Sequence, residues 1–246
     1  MSKKVLKTLL DVDGQQIPAK IYQERRRNVR ANIGKNGAIL RLPYGLTPQE
    51  EKDYLNWFKE YIKEQLDTHQ EIREQFLGKG YKDGDVLEVG SRKYLLRIRF
   101  TDRKTHGAKI ANATIYLELA RKDIESHRQK AIRHLLSRTV GSDFLPEITR
   151  RVLELNQLYF QMPIKSVNLK YNSSNWGSCS SNSNLNLSTR LLFAPQAVID
   201  YVIIHELAHL IELNHSPRFW KLVADAMPDY QRKEEWLKEH GSRCNF

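Results

Sequence analysis

Residues Tyr201–Trp220 read YVIIHELAHLIELNHSPRFW, and the rest of the chain is best interpreted outward from them. His205 and His209 are four residues apart, so a helix stacks them one turn above the other on one face, where both imidazoles can reach a single metal ion. Glu206 lies beside them, placed to take a proton from a metal-bound water rather than to fill a coordination position. His215 follows six residues after His209. At 3.6 residues per turn a continuing helix would carry it to the far side, so the helix is expected to stop first. Asn214 tolerates the left-handed conformation that ends helices, and Ser216-Pro217 reads as the N-cap and first position of a new helix. His215 then occupies the corner between two helices, turned back toward the metal.

The surroundings agree with a metal site. Ile199, Tyr201, Val202, Ile203, Ile204, Leu207, Ala208, Leu210 and Ile211 make the segment apolar on most sides, so its His-Glu-His set is expected to be buried and to need a partner. Three imidazoles with an open fourth position suit catalytic zinc, one ion per chain. Glu212 stands where the metzincin proteases, which share this histidine spacing, have glycine at the chain bend, and this argues against a metzincin assignment.

W-G-S-C-S at Trp176–Ser180, NLNLSTRLLFAP at Asn184–Pro195 and HELAHLIELNHSPRFW at His205–Trp220 together resemble the YgjP-like metallopeptidase family, often grouped with SprT-like zinc proteases. The resemblance covers the chain from about Asp123 onward and is weaker before it. It implies His205, His209 and His215 as zinc ligands, Glu206 as the catalytic glutamate, and a zincin-like α+β fold in which an antiparallel edge strand, here Asn184–Leu192, lies above the metal helix. Read on their own, Leu185 and Leu187 alternate with Asn184, Asn186 and Ser188 as in a half-buried strand. Such a strand could add an extended peptide along a free edge, or be an ordinary covered strand. Trp176-Gly177 reads as a tight turn with an aromatic plug, and Cys179 as a small buried residue.

Elsewhere the 246-residue chain is long enough for one large domain or two small ones. No apolar stretch reaches transmembrane length, MSKKVLKTLLDVDGQQ does not read as a secretory signal, and two cysteines are too few for a disulfide framework, so the expected location is cytoplasmic with no membrane partner. A net charge of +11 attracts polyanions. Three basic clusters carry much of it: Arg25, Arg26, Arg27 and Arg30; Arg97, Arg99, Arg103 and Lys104; and Arg128, Lys130, Arg133 and Arg138. Nucleic acid is therefore a candidate partner, against the alternative of a merely solvated surface.

The expected organisation is a β-rich N-terminal region with one long helix over 1–122 and a zincin-like metallopeptidase domain over 123–246. Turns are expected at Asp13-Gly14 and Asn36-Gly37, and a helix begins at the capping box Thr47-Pro48-Gln49-Glu50. VLEVG and YLLRIRF read as a hairpin, with a further strand near Thr114–Leu119. Two helices are expected over 123–138 and from Asp143 toward Tyr159, then a strand over Ile164–Tyr171. The leading functional reading is a zinc-dependent metallopeptidase acting on a peptide or protein through a zinc-activated water with Glu206 as general base. Two alternatives stand beside it: a metal-dependent nucleoside triphosphate pyrophosphatase or phosphohydrolase, and a basic nucleic-acid-binding protein with a structural zinc site.

Overall fold

Alternating apolar residues in the N-terminal segment fold into a four-stranded sheet: β1 (Lys4–Val12), β2 (Gln15–Glu24), β3 (Arg30–Gly34) and β4 (Gly37–Pro43) in the order β1-β2-β4-β3. The β1–β2 and β3–β4 pairs are antiparallel, and β2–β4 is parallel. The computed structural model describes residues 4–246 except Gly14, Lys35, Asn36 and Gly78, so the expected turns at Asp13-Gly14 and Asn36-Gly37 fall partly outside the described residues. Helix α1 (Pro48–Thr68) starts at the capping box read from the sequence. The Thr47 hydroxyl accepts the Glu50 N–H and the Glu50 carboxylate accepts the Thr47 N–H. Its Phe58, Ile62 and Leu66, four residues apart, bury against Ile17, Ala19, Ala38, Leu40 and Leu42 on one face of the sheet. A shorter helix, α2 (Gln70–Leu77), follows. These elements, Met1–Gly80 with Ile124–Gln129, form one compact unit.

The second unit, Tyr81–Asp123 with Lys130–Phe246, begins with another four-stranded sheet. Its strands β5 (Val86–Val89), β6 (Arg92–Thr101), β7 (Gly107–Ala111) and β8 (Thr114–Ala120) run in the order β5-β6-β8-β7. Leu87, Val89, Tyr94, Leu96, Ile115, Leu117 and Leu119 enter the same apolar core as the C-terminal helices. By packing, therefore, this sheet groups with the histidine-bearing part of the chain.

Helix α3 (Glu125–Tyr159) is one continuous helix of 35 residues, not the two expected. Ile132, Leu136, Val140, Phe144, Ile148 and Val152 bury one stripe at unbroken four-residue spacing, and this tertiary burial outweighs Gly141 and Pro146, which read locally as breakers. Gly141 has a packing reason. A Cβ there would lie 2.8 Å from the Thr189 methyl, and one turn away Ser137 and Thr189 share a buried hydroxyl hydrogen bond of 2.7 Å.

Then comes a small sheet of β9 (Ser166–Lys170), β10 (Gly177–Cys179) and β11 (Asn184–Ser188). Its order is β10-β11-β9, with β11 parallel to β9 and antiparallel to β10. This corrects two expectations. The sheet is mixed rather than antiparallel, and the Asn184–Leu192 segment is no edge strand, because β11 is paired on both sides and the chain turns into a 3-10 helix at Thr189. The outer strands are β10 and β9. Three helices complete the unit: α4 (Gln196–Ala208), α5 (Pro217–Ala226) and α6 (Tyr230–His240). The whole is a mixed α+β fold of several small sheets and helices, and no helix among the described residues is long and apolar enough to cross a membrane.

Helix α4 is fastened to α3 by a charge pair. Arg151 donates to both carboxylate oxygens of buried Asp200 at 2.9 and 2.7 Å, and Gln196 donates to the same carboxylate. Asp200→Ala should lower stability by about 1–3 kcal/mol, below the ~3–5 of a fully buried pair because Arg151 keeps solvent contact and its bond to Glu154. A circular-dichroism melt unchanged from the parent would show that this pair does not hold α4.

Candidate active site

Ten of the thirteen residues of α4 are buried, Glu206 among them, as the apolar sequence requires. The α-helix ends at Ala208 with His209 as its C-cap, and Leu210 and Ile211 N–H groups then bond to Leu207 and Ala208 carbonyls three residues back. The stop therefore comes earlier than expected, and Asn214 is not among the residues with positive φ. Past it, Ser216 caps α5 by accepting the Phe219 N–H, with Pro217 at the first turn, as the sequence indicated. His215 thus sits in the corner between α4 and α5.

The three histidines converge. Their ligand nitrogens all lie within 4.8 Å of one another, and Nε2 of His215 is 3.1 Å from Nε2 of His205. Two nitrogens each bound at about 2.0–2.1 Å to a tetrahedral ion would lie about 3.3 Å apart, so the spacing fits one metal held by both. His209 donates its Nδ1–H to the Glu212 carbonyl at 3.1 Å, which fixes the tautomer and leaves Nε2 free as a donor to metal. Burial and its two histidine neighbours push His205 down to about 4, and burial lowers His209, so both are neutral at physiological pH, the form that ligates.

Phe219 is the floor of the cluster. It is fully buried, with its ring centroid 4.9, 4.5 and 4.7 Å from those of His205, His209 and His215. Trp220 flanks His205 and His215 and stacks on Tyr230, which stacks in turn on Tyr201. Nδ1 of His205 is buried without a hydrogen-bond partner among the described residues, so packing against these rings, rather than a hydrogen bond, sets its orientation.

Glu206 faces β10. A Cβ on Gly177 would fall 2.6 Å from a Glu206 carboxylate oxygen, so glycine is what lets the strand lie on that carboxylate. Burial raises Glu206 to about 7, partly offset by a hydrogen bond from the Cys179 backbone N–H. The expected tight turn at Trp176-Gly177 is instead the entry to this strand. The aromatic plug is present: the Trp176 ring lies under the Arg190 guanidinium at 4.3 Å and against Gly241, and Arg190 donates to the Ser173, Gly241 and Cys244 carbonyls. Cys179 is half-buried rather than buried, and its thiol is raised to about 11 by burial and Glu206, so it is no nucleophile at neutral pH.

Gly177→Ala is expected to reduce any activity depending on Glu206 by at least about tenfold, since displacing a reacting group by about 1 Å costs on this order or more, while the histidine cluster stays formed. Elemental analysis beside a rate measurement would check this; full activity in the variant would mean that β10 does not position Glu206.

Sequence reasoning brought His205, Glu206, His209 and His215 together. It missed Phe219, the Glu212 carbonyl and the Gly177–Glu206 contact. Only Phe219 left a signal, as the apolar residue three past the Ser216 cap.

The model of the YgjP-like metallopeptidase domain matches residues 27–240. No curated protein matches the chain. Among solved structures, the metallopeptidase zymogen abylysin of Pyrococcus abyssi is 21% identical, with 37% of this chain and 93% of that one covered and a TM-score of 0.34. The zymogen jannalysin of Methanocaldococcus jannaschii is 20% identical over 37% of this chain and 94% of that one, with a TM-score of 0.33.

Proposed function

This chain belongs to the YgjP-like metallopeptidase family, a family of metal-dependent peptidases, and from that premise we propose that His205, His209 and His215 hold one zinc ion and that Glu206 is the general base of peptide-bond hydrolysis. The observation that carries this reading is the convergence of three imidazoles beside a buried carboxylate. A zinc ion so held would supply a Lewis acid that polarises the scissile carbonyl and acidifies the attacking water. Glu206 takes the proton of that water and passes it to the leaving amine. Gly177 and the Cys179 N–H keep the carboxylate aimed, and the Glu212 carbonyl holds the His209 ring. His215 is exposed, so the cluster is open to substrate on its side.

The extended substrate would lie along β10, the outer strand of the small sheet that carries Gly177 against Glu206, rather than along β11, whose two edges are already paired. Main-chain pairing there asks little of side chains, which makes unfolded protein a suitable substrate class. The arrangement resembles a zincin cleft, with a strand edge beside the metal helix, and the reading keeps the cytoplasmic location expected from the sequence. The test is to incubate zinc-loaded protein with an unfolded protein and, separately, with nucleoside triphosphates. New amino termini from the protein are expected; phosphate release that depends on Glu206, without proteolysis, would replace this reading with the phosphohydrolase.

A further inference from the structure

The three basic clusters of the sequence fare differently in the fold. Arg97 and Arg103 pair with Asp83 and Glu118, and Arg133 is half-buried. Of the cluster around Arg25–Arg30, Arg30 lies in a strand of the first unit's sheet, while Arg25, Arg26 and Arg27 lie in the connection between β2 and β3, where Arg26 pairs with Glu24; the strand register sets Arg30 beside further cations. Between Gln15 and Pro43 the sequence carries seven Lys or Arg and a single acidic residue, whereas between Pro48 and Leu77 it carries four Lys or Arg and eight acidic residues. Since α1 covers one face of the sheet, the strands are basic and the helical layer behind them acidic.

Register decides which side chains share the sheet face opposite α1. Val5, Tyr22, Arg41 and Arg30 lie in one row across the four strands, and Lys7, Lys20, Ile39 and Asn32 in the next. Their neighbours Ile21, Leu40, Ala31 and Ala19 point to the core, and Tyr22 and Ile39 belong to neither core cluster. The Arg41 guanidinium lies over the Tyr22 ring at 4.7 Å and is held by two hydrogen bonds to Glu24. Lys7 and Arg30 are exposed. Here, then, is a half-buried aromatic ring interleaved with cations on the sheet face opposite α1, a combination the linear sequence did not display.

We propose that this face binds single-stranded nucleic acid, the Lys and Arg side chains meeting phosphates and the Tyr22–Arg41 pair stacking on a base. Charge complementarity selects a polyanion, and a stacked ring and guanidinium select one that carries bases. An anionic membrane would answer the charge but not the planar pair. The assignment is independent of the peptidase reading, since every residue it uses lies in the first unit.

Full-length protein is titrated by fluorescence anisotropy into a labelled oligothymidylate of about 20 nucleotides, longer than the sites of single-strand-binding folds, and by co-sedimentation into vesicles containing phosphatidylserine. The combined variant Lys7→Gln, Lys20→Gln, Arg30→Gln should bind the oligonucleotide at least about tenfold more weakly. It should also lower the slope of log K against log salt by about 2, at about 0.7 per lost phosphate contact. Tyr22→Leu, which keeps a strand-compatible side chain, should weaken oligonucleotide binding about fivefold or more while leaving heparin binding unchanged, because heparin has no bases to stack. Unchanged melting temperatures would show both variants folded. Parent protein that ignores the oligonucleotide at low salt, variants that bind it as the parent does, or vesicle binding in its place would each overturn the proposal.

Discussion

Glu206→Gln is expected to lower peptide hydrolysis by about 10²- to 10⁴-fold, the range typical of losing a general base, with fold and bound metal retained. Glutamine has nearly the shape of glutamate, and the site is tight: Glu206 is buried, with Gly177 against the carboxylate and the Cys179 N–H bonded to it. The amide oxygen can still accept that N–H, so the helix and strand need not move. It cannot accept the proton of the attacking water. Steady-state rates on an unfolded protein, paired with elemental analysis, separate the two functions of the position. Turnover within a few fold of the parent would remove Glu206 from its role, whereas loss of both metal and activity would indicate a structural effect.

His215→Ala should reduce metal affinity by more than the 10- to 100-fold typical of losing an outer-shell partner, and abolish peptidase activity with it. Among the three histidines this is the informative one to remove. It is exposed and lies in the corner between α4 and α5, while His205 and His209 pack into the helix and its cap. Ser216 and Pro217 still start α5, so the fold should survive. After dialysis against a weak chelator, the parent is expected to keep one zinc per chain and the variant close to none. A variant that keeps zinc as tightly as the parent would mean that His205 and His209 bind with some other third group.

The site was legible because its geometry is local. His205 and His209 are related by one helical turn, and the Ser216-Pro217 cap fixes where the next helix must begin, so the position of His215 followed from spacing alone. The means of stopping the helix was less legible. Asn214 had the right propensity, but the chain turned earlier through three-residue bonds that carry no composition signal. Gly177 could not be assigned either, because its reason is a contact with Glu206, which lies far along the chain. For the same reason β11 read as an edge strand: its alternation is visible, but β10 has only three residues and no pattern of its own, and it takes that edge. The continuous α3 shows the opposite failure. Gly141 and Pro146 are local warnings, and the apolar stripe from Ile132 to Val152 running through them was the stronger signal.

The most direct measurement is a zinc titration of metal-free protein in the presence of an unfolded protein substrate, counting new amino groups against zinc bound. If the three histidines form the catalytic metal centre of a peptidase, cleavage should rise in proportion to zinc and reach its plateau at one ion per chain, with His215→Ala and Glu206→Gln flat throughout. Cleavage that is indifferent to zinc, or a substrate left intact at full occupancy, would contradict the account.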